Sequence, residues 1–473
     1  MAAAPAGAAV TVTAKGAGFG HGIGMSQYGA YGQAKAGRTA NQILTHYYKG
    51  TAVTKGDTSR TVRVLLRNSS SVRFSGATSL VGSSRNLSAD ATYVMKVSGG
   101  STVLTSSRGK RIASVAGAMR VAAPSGGSIL VAGSAINGVN GGRYRGAIEL
   151  RSGQVINQLT VDDYVRGVVA GESPASWPAA ALQAQAVAAR TYGITSVKAG
   201  DFDHYPDTRS QVYRGVTGET ATTNAAVAAT AGQYVTYNGK PITAYFFSTS
   251  GGRTENVENS FIGATPQPYL KSVDDPWDKA SPRHRWQIKY TRASLQRRLG
   301  GWVKGTLKSV DVIKRGVSPR VVRADIVGSK GRTRVTGPQL RARLGLNDTW
   351  VQFVFSNATT KPLPDPDPDP PSTTPGGGVV ASRATGALGL PSVGAGILAQ
   401  VIAQPPGYGT ARGRVWPDGG GRVVRLQVRE DGRWRTSVRV RADETGRWTS
   451  LVPTGVPHRV VALGVAGPIV EAE

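Results

Sequence analysis

Cysteine is absent from the 473 residues, which excludes disulfide staples, thiolate zinc sites and a cysteine nucleophile together. Histidine is scarce. The five present (His21, His46, His204, His284, His458) never fall at H-x3-H or HExxH spacing, so no local metal cassette exists and neither a metal nor another cofactor is expected. GxxxxGK[ST] and GxSxG are missing too, which disfavours a nucleotide-phosphate cradle and a serine-hydrolase elbow. A long apolar run is also lacking. The longest uncharged candidate, 384–403, contains Pro391, Gln400 and four glycines, whereas a bilayer helix needs about 20 mostly apolar residues. Acidic residues are few: 28 Asp and Glu face 57 Lys and Arg, a formal net charge of +29.

Hydrophobic residues make up 40% of the chain, enough to build buried cores, and the length suggests roughly three folding units. Residues 361–378 read KPLPDPDPDPPSTTPGGG. Proline removes amide donors and fixes φ, so this run is expected to be an extended spacer. It divides a large region, 16–360, from a small one, 379–473. The small region alternates apolar with polar residues over 422–429, 434–440 and 448–452, which predicts short strands and a β-sandwich-like domain. Residues of about 60–150 are likewise β-rich, as in TVRVLL (61–66) and AIEL (147–150), within the larger region. The first 15 residues form an expected tail. Its small-residue start, MAAAPAGAAV, reads either as the remnant of an export signal or as an Ala-rich extension.

From about Ser176 the period changes. Ser176 is placed to cap a helix, Pro178 suits its first turn, and AAALQAQAVAARTY (179–192) follows. Small side chains on every face predict a buried central helix. A second Ala-rich helix is expected over 223–231. The fold class is therefore α+β.

Three segments carry polar groups suited to chemistry. GAGFGHGIGMSQYGA (16–30) is a glycine-rich loop holding His21, Ser26 and Gln27, where alternate glycines allow close backbone approach. VVAGESPASWP (168–178) sets Glu172 after an apolar stretch, with Trp177 nearby. A carboxyl in apolar surroundings has its pKa raised toward the range of a general acid. The bland reading is a glutamate in a helix-entry turn. AYFFSTSGGRT (244–254) reads as a buried strand emptying into a loop with Ser248 and Ser250, candidate ligand contacts or turn residues.

Taken together, GFGHGIGMSQYGAYGQAKAG (18–37), ILTHYYKGT (43–51), DDYVRGVVAGESPASWPAAALQAQAVAARTY (162–192), DTRSQVYRG (207–215), AYFFSTSGGRTENV (244–257) and PYLKSV (268–273) resemble the SpoIID/LytB family. The resemblance is strong over about 18–51 and 143–276 and weaker over 286–356. It implies a SpoIID-like mixed domain and a lytic transglycosylase acting on peptide-stripped peptidoglycan strands. Such an enzyme cuts between N-acetylmuramic acid and N-acetylglucosamine and leaves 1,6-anhydromuramic ends. It places the catalytic carboxyl on Glu172, with His21, Gln27, Ser248 and Ser250 lining the sugar cleft. It also implies an exported, cell-wall location and an N-acetylmuramoyl-L-alanine amidase as partner. The alternative within the family is a non-catalytic glycan binder or amidase enhancer of the LytB type.

Four features depart from the family pattern. The GHGxGMSQ block stands at the N-terminal end, whereas the commoner order places it last, so the chain resembles a circular permutant. Ser173 stands where Met is usual, and Gln183 where Lys is frequent. The cysteines that hold a metal in some relatives are missing, so no metal is carried over. The basic surplus suits anionic wall polymers. With charges scattered and no basic helix or aromatic RNP-like motif, nucleic acid is not an expected partner.

Overall fold

The structure is a computed structural model that describes residues 10–356 and six strands between Tyr408 and Val470. The chain divides into two compact units, Met1–Ala399 and Gln400–Glu473. The spacer expected at 361–378 and the boundary at 379 lie outside the described residues.

The first unit is α+β. Its β-rich part contains a five-stranded sheet in the order Thr61–Asn68, Gln154–Thr160, Ala147–Arg151, Met119–Ala122, Ser79–Leu80. A six-stranded sheet runs Asn140–Tyr144, Ile129–Ser134, Ser71–Ser75, Tyr93–Ser98, Ser101–Ser106, Arg111–Ala116. Inward residues such as Val62, Val64, Phe74, Met95 and Ile148 form one core, and that core continues into two helices through Val165, Val168, Leu182 and Ala186.

Those helices position the site. Helix α3, Val161–Glu172, starts at Thr160, whose side chain accepts from the Asp163 amide, and carries Asp162 and Asp163 in its first turn, where negative charge complements the helix dipole. It stops because Ser173 precedes Pro174, which disfavours helical geometry at the residue before it; Ser173 is extended, with φ −134° and ψ 137°. Glu172 is thus the last helical residue of α3, rather than a turn residue entering the next helix. Helix α4, Ala179–Thr195, follows and is buried through most of its length. Its N-cap is Pro178, without a side-chain cap, so the capping role expected of Ser176 is not realised. The second Ala-rich helix, α5, spans Ala221–Ala229 and opens two residues earlier than the composition suggests, because Thr220 and Thr223 form a capping box.

Around α4 lie two helices from the N-terminal region: α1, Gln27–Lys35, capped by Ser26, and α2, Ala40–Tyr47, capped by Thr39. The strand Met25–Ser26 pairs in parallel with Phe246–Phe247. This pairing seats the glycine loop on the 244–257 segment across more than two hundred residues of sequence.

One expectation is corrected. Residues 11–15, assigned to a tail, belong to the strand Thr11–Ala17, the middle of a three-stranded sheet between Arg285–Thr291 and Val351–Ser356. Its alternation buries Val12 and Ala14 fully, a period-two signal that the alanine-rich start of the chain obscures.

The second unit has a two-stranded sheet, Tyr408–Arg414 with Arg447–Pro453, and a four-stranded sheet, Arg433–Arg441, Val423–Glu430, His458–Ala462, Val465–Val470. The three alternating runs read from the sequence are among these strands. Val424 and Leu426 are fully buried within it.

Candidate active site

Glu172 sits where the C-terminal end of α3 meets the glycine loop and the 207–215 segment. Its Oε1 accepts from the Val212 amide at 2.8 Å, and its Oε2 accepts from Gln27 Nε2 at 3.1 Å. The residue as a whole is only partly enclosed. Burial pushes its pKa above the ordinary carboxyl value, and the Val212 amide, Gln27 and the Arg214 cation pull in the opposite direction. Burial prevails because it penalises the charged form more than two donors and one remote charge favour it. The result is a carboxyl that retains a proton at a higher pH than an exposed glutamate while its geometry is fixed at both oxygens. Such a group can serve as an acid and afterwards as a base.

Gln27 is the sequence-predicted companion that the structure brings to Glu172. It is 4% exposed, follows the cap of α1, and also donates to Gln185 Oε1 at 3.4 Å. Gln185 is itself buried on α4, and its Nε2 has no hydrogen-bond partner.

The other three candidates are committed elsewhere. His21 accepts from the Ile23 amide through Nδ1 at 3.1 Å, which leaves the proton on Nε2 to be donated to the Phe246 carbonyl at 3.0 Å. Burial, and then the charge of Arg341, lowers its pKa to about 3, so it is a neutral clasp between the loop and the 246–247 strand. Ser250 is fully buried; its hydroxyl accepts from the Gly252 amide and its carbonyl from Arg320. Ser248 meets the Thr249 hydroxyl at 3.1 Å, and its carbonyl accepts from the Tyr28 amide. These residues build the wall on which the site rests. The glycines of the loop serve the same purpose: Gly24 has φ +73°, and a Cβ there would fall 2.1 Å from the Tyr245 carbonyl oxygen.

Sequence reasoning missed two features. Tyr28 and Tyr31, one turn apart on α1, meet Trp177 at ring-centroid distances of 5.2 and 5.1 Å. All three rings are partly exposed, and they stand on the elements that carry Gln27 and Glu172. The i,i+3 spacing of the two tyrosines was the available signal. Arg214 is the second: its charge reaches Glu172. Among the described residues no group of three or more His, Cys, Asp or Glu is placed to hold a metal.

An α+β domain with a desolvated carboxyl at a helix end, faced by a glycine loop from a distant part of the chain, defines the class. Comparison with known proteins gives the family. The profile described as Stage II sporulation protein matches residues 150–237, which include Glu172, Val212 and Arg214. Stage II sporulation protein D of Bacillus subtilis (strain 168) is 38% identical over 212 residues, covering 41% of this chain and 60% of that protein. The Bacillus amyloliquefaciens protein of the same name is 35% identical over 213 residues, with the same coverages. The amidase enhancer of B. subtilis is 40% identical over 132 residues, 28% of this chain and 17% of that protein. The chain thus spans 60% of the length of the sporulation proteins it matches. These matches support membership of the SpoIID/LytB family, carried by residues 150–237.

Proposed function

We propose that this protein is an exported cell-wall enzyme, a lytic transglycosylase. Its substrate is peptide-stripped peptidoglycan, cleaved between N-acetylmuramic acid and N-acetylglucosamine. The observation that carries this reading is the desolvated carboxyl of Glu172, anchored at both oxygens on a residue that is not fully enclosed. An ordinary glycosidase places two carboxyls about the scissile bond. Intramolecular attack needs one, because the sugar's own 6-hydroxyl is the nucleophile.

In the proposed reaction protonated Glu172 gives its proton to the glycosidic oxygen as the C1–O bond breaks, releasing the N-acetylglucosamine hydroxyl. The 6-hydroxyl oxygen of the muramic residue bonds to C1, and its proton passes to the Glu172 carboxylate. The acid is regenerated, no water is consumed, and a 1,6-anhydro ring results. Holding the 6-hydroxyl near C1 supplies the advantage of an intramolecular reaction. The Val212 amide and Gln27 keep the carboxyl oriented in both protonation states, and the Tyr28–Tyr31–Trp177 surface offers flat rings for pyranose faces.

An amidase that removes stem peptides is the proposed partner, and anionic wall polymers the proposed counterpart of the net charge of +29. Incubation with peptide-free strands is expected to release fragments ending in anhydromuramic acid, and Glu172→Gln to abolish release while retaining binding. Binding without release by the unmodified protein would assign it instead to the non-catalytic, amidase-enhancing branch.

A further inference from the structure

Arg214 is the cation whose charge acts on Glu172. Other arginines of this domain are paired: Arg145 with Glu219, Arg190 with Asp162 and Arg63 with Asp203. The Arg214 guanidinium makes no hydrogen bond and no ion pair among the described residues, and the residue is only half-buried. Its place is nevertheless fixed. The backbone amide donates to the Gly167 carbonyl of α3 at 3.1 Å, two residues beyond the amide that holds Glu172. The side-chain stem lies over Gly218, where a Cβ would fall 2.6 Å from Arg214 Cβ. A held but unpaired guanidinium whose field reaches the acid is a site for an anion, best a planar carboxylate that it can grip with two parallel donors.

The proposed substrate has such a group. In intact peptidoglycan the lactyl carboxyl of muramic acid is tied up as a neutral amide to the stem peptide. Hydrolysis of that amide leaves a free carboxylate on the sugar to be cleaved. We propose that Arg214 binds the free lactyl carboxylate of N-acetylmuramic acid and so makes this site selective for strands whose stem peptides have been removed. The inference rests on the glycan-cleaving role of Glu172 and specifies which form of glycan that site admits. The reaction that supplies the substrate must then be an amide hydrolysis that uncovers the carboxylate. Binding also acts on the acid: a carboxylate on Arg214 cancels the positive field that favours ionised Glu172, so the bound strand itself promotes the protonated form.

The test uses the full chain carrying Glu172→Gln, so that binding is read without turnover, and three probes: peptide-free strands, strands with intact stems, and N-acetylglucosamine oligomers, which lack carboxylates. Stripped strands are expected to bind best. Adding Arg214→Gln should weaken them about tenfold or more, the scale of a lost charge-assisted pair, with oligomer binding unchanged, and Arg214→Lys should restore part of the loss. An equal loss on all three probes, no loss on any, or no binding of stripped strands overturns the proposal. A second readout is carboxyl NMR of Glu172 in the otherwise unmodified protein. Stripped strands should raise its pKa, and Arg214→Gln should raise it without ligand and remove the response to strands. An unchanged titration also counts against the proposal. Failure of the unmodified protein to form anhydro ends would overturn the proposed reaction alone, because the ranking of probes is independent of product.

Discussion

Glu172 is poised between burial, which favours its acid form, and three groups that favour the carboxylate. Removing one of those groups therefore has a signed effect. Gln27→Leu deletes the donor to Oε2, so the Glu172 pKa is expected to rise further. A general acid is active below its pKa, so the basic limb of the kcat/KM profile should move to higher pH. A profile measured on peptide-free strands checks this, and a basic limb that stays or moves to lower pH would contradict it. Glu172 was singled out because its carboxyl follows an apolar run and falls on the motif shared with the SpoIID/LytB family. The pairing with Gln27 was not, since the two residues are 145 positions apart. His21 and Ser250 show the complementary limit. Their side chains read as donors for a ligand, but backbone groups engage them, and such groups leave no mark in the sequence.

At the scale of the element, α1 explains how the site is held. Gly29 and Gly32 form a bare stripe against the chain. A Cβ on Gly29 would fall 1.9 Å from the Tyr47 hydroxyl and 2.3 Å from an Asp275 oxygen, and one on Gly32 would fall 2.1 Å from the Trp277 carbonyl. The helix is drawn flush there, with Gln27 and the two tyrosines on its remaining surface. Gly29→Ala forces these contacts apart, and overpacking of this kind costs about 1–3 kcal/mol. Chemical denaturation should show that loss together with weakened binding of glycan strands; a stability equal to that of the unmodified protein would show that the stripe is not tight. The elements themselves were readable. The central helix, the second Ala-rich helix and the alternating strands follow from composition and period. The helix that ends at Glu172 was less so, because its apolar face is short and interrupted by Gly167 and Gly171.

At the scale of the whole molecule, the unusual order of motifs has a physical counterpart. Thr11 pairs with Ser356 across antiparallel strands, so the end of one strand lies beside the start of the other. A short hairpin there would restore the order in which the glycine loop comes last. We propose that the domain is a circular permutant in this sense. A chain joined from Ser356 to Thr11 and opened in the exposed 57–59 loop is expected to fold and to bind strands as the original does, and failure to fold would count against this relation. The direct test of the central claim is cleavage of peptide-free strands in isotopically heavy-oxygen water, with products read by mass spectrometry. Attack by the sugar's own hydroxyl predicts fragments one water lighter than hydrolysis products, free of the label and missing from the Glu172→Gln reaction. Labelled reducing ends would show that water is the nucleophile and would contradict the account.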